Sequence, residues 1–251
     1  MSFSLNDKVA FVTGGYRGLG AAIINCLASH GATGAAVDRD TPDRARLLPN
    51  GFVAIQADVT DESAVKSAID RTIETFGRID IVVANAGVVP PWSETRELDL
   101  QQWDAVMAVN ARGVLTTIKH TVEPLTKSKG NVVVMGSINS VLGHQRQMAY
   151  TASKHAALGI VRAAALDLGR FGIRVNGVAP GPIATEALLD RIRSRAQTGP
   201  SELEAIALLE NQTALGRLAT AEEVANTVAF LSCSAAGGIS GQMLRVDAGM
   251  A

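Results

Sequence analysis

Tyr150 and Lys154 stand four residues apart in Tyr-Thr-Ala-Ser-Lys, and Ser137 precedes the tyrosine by thirteen positions. On an α-helix an i,i+4 pair shares one face, so a phenol and an ammonium placed this way reach the same small object. A phenol near its ordinary pKa of about 10 is a poor proton donor or acceptor at neutral pH. A cation beside it stabilises the phenolate and lowers that value. Bringing it to about 7 takes about 3 pKa units, or roughly 4 kcal/mol of differential stabilisation. The chemistry on offer is proton transfer. The same pair also occurs on exposed helix faces with no catalytic role, and what changes its meaning is a second motif near the N-terminus.

That motif is Thr13-Gly-Gly-Tyr-Arg-Gly-Leu-Gly20. It follows a predicted strand, Lys8–Thr13, and opens a predicted helix, Gly18–His30, which Gly31 stops. Gly14, Gly18 and Gly20 let the backbone turn sharply and approach a pyrophosphate, and the helix N-terminus beside Arg17 and Leu19 offers N–H donors and partial positive charge. Asp38 closes the second strand. A carboxylate there accepts hydrogen bonds from both ribose hydroxyls of an adenosine and repels a 2′-phosphate, since like unit charges at 4 Å cost about 4 kcal/mol at an effective dielectric of 20. It argues for NAD over NADP. Arg17 and Arg39 argue mildly for the phosphate unless both are solvated. Asp58-Val59 at the end of the third strand reads as an adenine neighbour or as a turn.

These residues need elements to position them. The second strand is read at Ala35–Val37 and the third at Phe52–Val59. Apolar residues at Val65, Ile69, Ile73 and Phe76 mark a helix over Glu62–Phe76 with one buried stripe. Ile81–Ala84 and Val132–Met135 are continuous apolar runs, as in parallel strands covered on both faces. A helix over Trp103–Thr117 contains Asn110, a poor mid-helix residue that something else should justify. Helix Ala152–Arg170, strand Arg174–Val178, helix Ala221–Leu231 and strand Leu244–Val246 complete an alternating series. That series predicts a single-domain, doubly wound α/β sheet with helices on both faces. Residues 184–218 differ. They are helical in pattern, broken at Thr198-Gly-Pro200, and read as a segment covering a substrate pocket.

Whole-chain properties exclude several classes. The 251 residues are 47% hydrophobic and 19% charged, with formal net charge −1. That suits a sizeable core and leaves no electrostatic reason to bind nucleic acid or an anionic membrane. Apolar runs fall short of the roughly 18 residues of a membrane span. Cys26 and Cys233 read as reduced thiols, and the opening Met1–Lys8 lacks a signal pattern, so a cytoplasmic protein is expected. The four histidines have neither zinc-protease spacing nor a cysteine companion, and no metal is expected.

In these motifs and their order the chain resembles the classical short-chain dehydrogenase/reductase family over nearly its full length. The carriers are Thr13–Gly20, Asn85-Ala86-Gly87, Asn110, Ser137, Tyr150-x-x-x-Lys154 and Pro180-Gly181. The resemblance implies a Rossmann-type parallel sheet of about seven strands and a tetrad of Asn110, Ser137, Tyr150 and Lys154. Tyr150 would be the general acid/base and Ser137 would hold the substrate oxygen. Lys154 would lower the tyrosine pKa and bind the nicotinamide ribose, and Asn110 would hold a water in a proton relay. Asn85, Ala86, Gly87, Pro180, Gly181 and Ile183 would flank the cofactor. Thr185 would contact the carboxamide, or cap a helix.

The implied reaction is hydride transfer between a secondary alcohol or ketone and NAD. Its nearest rival is an NADPH-dependent ketone or 3-oxoacyl reductase, and a remote one is a non-catalytic nucleotide sensor. The departures are Ala84 where relatives often carry a second asparagine, Ala248 where they often carry glycine, and a polar run Gly143–Gln147. From that run His144 and Gln145 are candidate substrate contacts. Small residues around much of the Tyr150 helix point to a second close helix, and the resemblance implies a homotetramer.

Overall fold

A computed structural model describes residues 3–40, 48–195 and 200–250. Seven strands form one parallel sheet in the order β3-β2-β1-β4-β5-β6-β7. They are β1 (Val9–Thr13), β2 (Thr33–Asp38), β3 (Phe52–Gln56), β4 (Ile81–Ala84), β5 (Asn131–Met135), β6 (Arg174–Pro180) and β7 (Met243–Val246). The central strands β1, β4 and β5 are buried along their whole length, which is why they read as unbroken apolar runs. Strand order reverses between β1 and β4. The crevice beyond their C-terminal ends is where open α/β sheets take ligands.

Helices cover both faces. On one side α1 (Gly18–Ser29) and α8 (Ala221–Ser232) bury Ile23, Ile24, Leu27, Val224 and Val228 against the sheet. On the other, α2 (Glu62–Phe76), α4 (Gly113–Ser128) and α5 (Met148–Gly169) bury Val65, Ile69, Val114, Ile118, Ala157 and Val161. A short α3 (Leu100–Met107) leads into α4. Two further helices, α6 (Glu186–Arg195) and α7 (Glu202–Glu210), lie in the predicted covering segment. The predicted break there falls partly at Thr198 and Gly199, outside the described residues.

Boundaries differ from expectation for physical reasons. The third strand stops at Gln56 because Asp58 turns the chain, its Oδ1 accepting from the Thr60 backbone N–H and hydroxyl, both at 2.8 Å. The Tyr150 helix starts earlier, at Met148, so Tyr150 occupies its first turn. The single helix expected over Trp103–Thr117 is three pieces: α3, a π-helical turn over Ala108–Arg112, and α4. Wide π turns interrupt α-helices chiefly at functional sites, and this one holds Asn110.

The ends of the sheet are finished differently. At the N-terminal edge buried Asp80 accepts from the Val9 amide at 3.1 Å and pairs with Arg78 at 2.6 Å and Lys8 at 3.3 Å. Both thiols are free. Among the described residues no helix is long and apolar enough to cross a membrane.

Candidate active site

A cleft of about 1540 Å³ lies across the C-terminal ends of the strands. Its nucleotide side is a mesh in which two side chains hold the backbone of the facing loop. Asn85 Nδ2 donates to the Thr13 and Gly14 carbonyls, each at 2.9 Å, while the Thr13 hydroxyl accepts from the Asn85 and Ala86 amides, each at 3.1 Å. This stitches the β1 loop to the β4 loop. Gly14 has φ +64°, and a Cβ there would come within 2.9 Å of Ala86 Cα. At Gly20 a Cβ would meet the Gly14 carbonyl and stand 2.7 Å from Asn85 Nδ2. Glycine is therefore required at both places.

The helix that follows is left open. Its N-cap residue Arg17 makes no capping bond and its first turn carries no acid. By contrast α2, α3, α7 and α8 are capped by Asp61, Asp99, Ser201 and Thr220. The free N–H groups of α1 suit an anion. Asp38 stands at the end of β2, where its carboxylate accepts from the Tyr16 amide at 3.3 Å. Arg17 and Arg39 both pair with Asp40, at 3.3 and 3.5 Å. Asp40 went unremarked in the sequence. It occupies the two cations that argued for a 2′-phosphate and adds a second negative charge beside Asp38. Asp58, Val59, Ala86, Gly87, Pro180, Gly181, Ile183 and Thr185 line the same cleft. The nucleotide side thus fits a dinucleotide: a glycine cradle, an uncapped helix and a ribose-end carboxylate.

At the far end β5 and α5 bring Ser137, Tyr150 and Lys154 to the same cleft. Ser137 caps a short turn over Ile138–Ser140, its hydroxyl accepting from the Asn139 amide at 3.2 Å. Asn139 Nδ2 in turn donates to Thr151 Oγ1 at 2.9 Å and Gln147 Oε1 at 3.2 Å, which locks that turn onto α5. Asn139 is a positioning residue that sequence reasoning missed, because a turn asparagine carries no distinguishing signal. Lys154 is buried, and its Nζ donates to the Met135 carbonyl at 2.8 Å and lies 5.8 Å from the Tyr150 ring centre.

The electrostatics differ from the simple expectation. Burial raises the Tyr150 pKa above its ordinary value; the Ser137 hydroxyl, hydrogen-bonded to the phenol, and the Arg191 guanidinium pull it back down. Burial pushes Lys154 down to about 8. The ammonium is turned toward the Met135 carbonyl. Desolvation outweighs the helix-face argument here, because both groups of the pair are sunk into the protein.

Asn110 is the one tetrad candidate that does not line the cleft. It is fully buried behind the wall, where Oδ1 accepts from the Val88 amide at 2.8 Å and Nδ2 donates to the Val88 carbonyl at 2.9 Å and to Ser153 Oγ at 3.0 Å. A mid-helix asparagine is justified by this clamp on the irregular segment following Gly87. The space between is narrow: a Cβ on Gly87 would stand 3.3 Å from Asn110 Oδ1 and 3.6 Å from Lys154 Nζ.

The polar run before Tyr150 divides. All of it lines the cleft, but Gln147 is held by Asn139, whereas His144 and Gln145 have no such bond to that turn. Burial pushes the His144 pKa down, and buried Nδ1 has no hydrogen-bond partner among the described residues. Across from this loop, α6 and α7 contribute Leu188, Arg191, Leu208 and Leu209.

Known proteins resemble the chain throughout. The family profile described as enoyl-(acyl carrier protein) reductase matches residues 14–251. Short-chain dehydrogenase reductase 3a of Arabidopsis thaliana is 36% identical, the match covering 98% of this chain and 95% of that protein. (+)-Borneol dehydrogenase 2 of Salvia officinalis is also 36% identical, over 98% of this chain and 89% of that one. The crystal structure of carveol dehydrogenase from Mycobacterium avium in complex with NAD superposes with a TM-score of 0.89 at 29% identity, covering 98% of each chain.

Proposed function

We propose, from the premise that this chain belongs to the short-chain dehydrogenase/reductase family, that it is an NAD-dependent secondary-alcohol dehydrogenase. Membership makes it an oxidoreductase that works with a nicotinamide cofactor on a small alcohol or ketone. The observation that carries the finer reading is the shared cleft: Ser137, Tyr150 and Lys154 open onto the same space as the glycine cradle, Asp38 and the uncapped end of α1. The names of the borneol and carveol relatives support a cyclic secondary alcohol, and the aliphatic side chains of α6 and α7 suit one.

The nicotinamide, when bound, accepts the hydride. The chain's own residues do the rest. Ser137 Oγ, oriented by the Asn139 amide, holds the alcohol oxygen against the Tyr150 phenol. Tyr150, as phenolate, takes the hydroxyl proton at its oxygen, and returns it in the reverse direction. That step needs the burial-raised pKa to fall when cofactor and substrate bind, and Lys154, 5.8 Å from the ring centre, is a second cation beside Arg191 that can lower it. Asn110 positions Val88 and Ser153 and so fixes the wall that faces both. Asp38 and Asp40 favour the ribose hydroxyls of NAD and disfavour a 2′-phosphate. The exposed Leu115 on α4 and Leu166 on α5 support self-association through that face, which light scattering measures directly.

Initial rates of a panel of secondary alcohols with NAD and with NADP test the reading. NADH formation with a strong NAD preference is expected. Faster reduction of NADP would favour the ketone or 3-oxoacyl reductase alternative, and reduction of neither by any alcohol would overturn the enzyme.

A further inference from the structure

The substrate end of the cleft carries positive charge that no carboxylate among the described residues pairs with. Two arginines of α6, Arg191 and Arg193, stand two residues apart, a spacing that puts them on opposite sides of a helix. Arg193 faces outward and takes every acid within reach: Glu186 at 2.8 Å, Asp190 at 3.3 Å and Glu202 at 2.7 Å. Arg191 faces the cleft. It is half-buried, and no carboxylate among the described residues pairs with it. The group that senses it electrostatically is the Tyr150 phenol. Opposite, Arg146 lines the cleft from the loop before α5, again without an acid among the described residues. Beside it lies His144 with its unpartnered Nδ1. Glu186 and Asp190, the acids that line this end, are engaged by Arg193.

Leaving a guanidinium partly desolvated and unpaired is costly, and a ligand that supplies the missing anion recovers that cost as binding. We infer that Arg191 is the anion-binding residue of the substrate site, and that the physiological substrate is a secondary alcohol or ketone bearing a carboxylate. A planar guanidinium presents a two-pronged fork that matches one carboxylate. A phosphate dianion usually draws on several donors, and among the described residues at this end of the cleft Arg191 alone offers a half-buried fork. Held by Arg191 at one end and by Ser137 and Tyr150 at the other, a hydroxy acid would be fixed at two points, which is what orientation for hydride transfer requires. His144, with Nδ1 unpartnered among the described residues, offers a directional hydrogen bond on the opposite wall.

This inference rests on the dehydrogenase reading, so the test has an arm that does not need turnover. In the first arm, the 2-, 3- and 4-hydroxycyclohexanecarboxylates, which vary the distance from carbinol to carboxylate, are each compared with the methyl ester. For at least one isomer kcat/KM should favour the acid by roughly 10- to 100-fold, the size of a charge-assisted hydrogen-bonded pair. Arg191→Gln should bring that ratio to within a few-fold of one, and Arg191→Lys should restore part of it. The ratio is read because Arg191 also acts on the phenol, an effect common to acid and ester. In the second arm, cyclohexanecarboxylate, which has no hydroxyl to oxidise, should raise the Tm of the protein with NAD present and should not do so for Arg191→Gln.

Equal use of acid and ester by every isomer, or no thermal shift with the carboxylate, would overturn the inference. So would an Arg191→Gln protein that keeps its acid preference but loses NAD affinity, since the guanidinium would then serve the cofactor. If no alcohol is oxidised while the thermal shift appears and depends on Arg191, the dehydrogenase reading fails and the anion site stands.

Discussion

The two sides of the cleft recognise by different means. The nucleotide wall, at the ends of β1 and β4, presents backbone: the Thr13 hydroxyl holds the Asn85 and Ala86 amides, the Asn85 side chain holds the Thr13 and Gly14 carbonyls, glycines make room, and a helix end is left open. The cover, α6 and α7, is built from side chains. Its two helices are joined at the surface by Arg193 and Glu202, α7 is capped by a Ser201–Glu204 box, and Leu203 and Leu208 remain exposed. Backbone recognition demands particular residues at particular places, since little but glycine tolerates φ +64° with a wall 2.9 Å from its missing Cβ. Side-chain recognition accepts many solutions. A wall of the first kind suits a ligand that never changes, and a cover of the second kind suits one that differs between relatives.

Tyr150 sits where the two sides meet, and its loss gives the largest expected effect. Tyr150→Phe should lower kcat for alcohol oxidation by about 10²- to 10⁴-fold, the range of a positioned acid or base. NAD affinity, followed by protein fluorescence, should barely move. A variant with near-normal turnover would remove the phenol from the mechanism.

Next in size is a break on the nucleotide side alone. A methyl group at Gly20 has backbone on one side and Asn85 Nδ2 2.7 Å away on another, so Gly20→Ala forces the β1 and β4 loops apart. Overpacking of this kind costs typically 1–3 kcal/mol, and NAD affinity should fall by roughly 10- to 100-fold. Calorimetric titration with NAD that finds no loss would show that the cradle has more give than its cross-bonds imply.

A smaller shift tests how the sides share the phenol. Burial raises the Tyr150 pKa, so its proton is held at neutral pH, and kcat/KM for oxidation should climb with pH until the phenolate predominates. Lys154 bears its proton below about pH 8, and in that range it favours phenolate. Lys154→Met should therefore move the climb to higher pH by about one unit, the scale of a charge several ångströms off at an effective dielectric between protein surface and water. An unmoved profile would mean that Ser137 and Arg191 alone set the phenol.

The same contrast explains what was legible in the sequence. β1, β4 and the glycine loop were readable because buried parallel strands and positive-φ turns leave few residue choices. The order Ser137, Tyr150, Lys154 was readable because one helix face and one strand end hold all three. Asn110 was visible as an anomaly, but its clamp on Val88 was not, since a π turn depends on partners far along the chain. Asp40 and Arg191 were illegible for another reason. A charged residue on a loop or an amphipathic helix looks solvated until the fold shows which charges already have partners.

The smallest effect comes from loosening the cover without touching the cleft. Arg193 is exposed and makes its three ion pairs at the surface; pairs of that sort contribute little to stability, so Arg193→Gln should leave Tm almost unchanged. What it removes is the link between α6 and α7 through Glu202. With that link gone α6, which carries Leu188 and Arg191 over the cleft, is held less firmly. The expected outcome is a rise of about two- to five-fold in the KM for the alcohol, the span of exposed ion-pair losses, with NAD affinity unaltered, because nothing in the Thr13–Asn85 mesh contacts Arg193. An equal loss of NAD affinity would show that disturbing the cover deforms the wall, and the cleft would then have to be regarded as one cooperative unit.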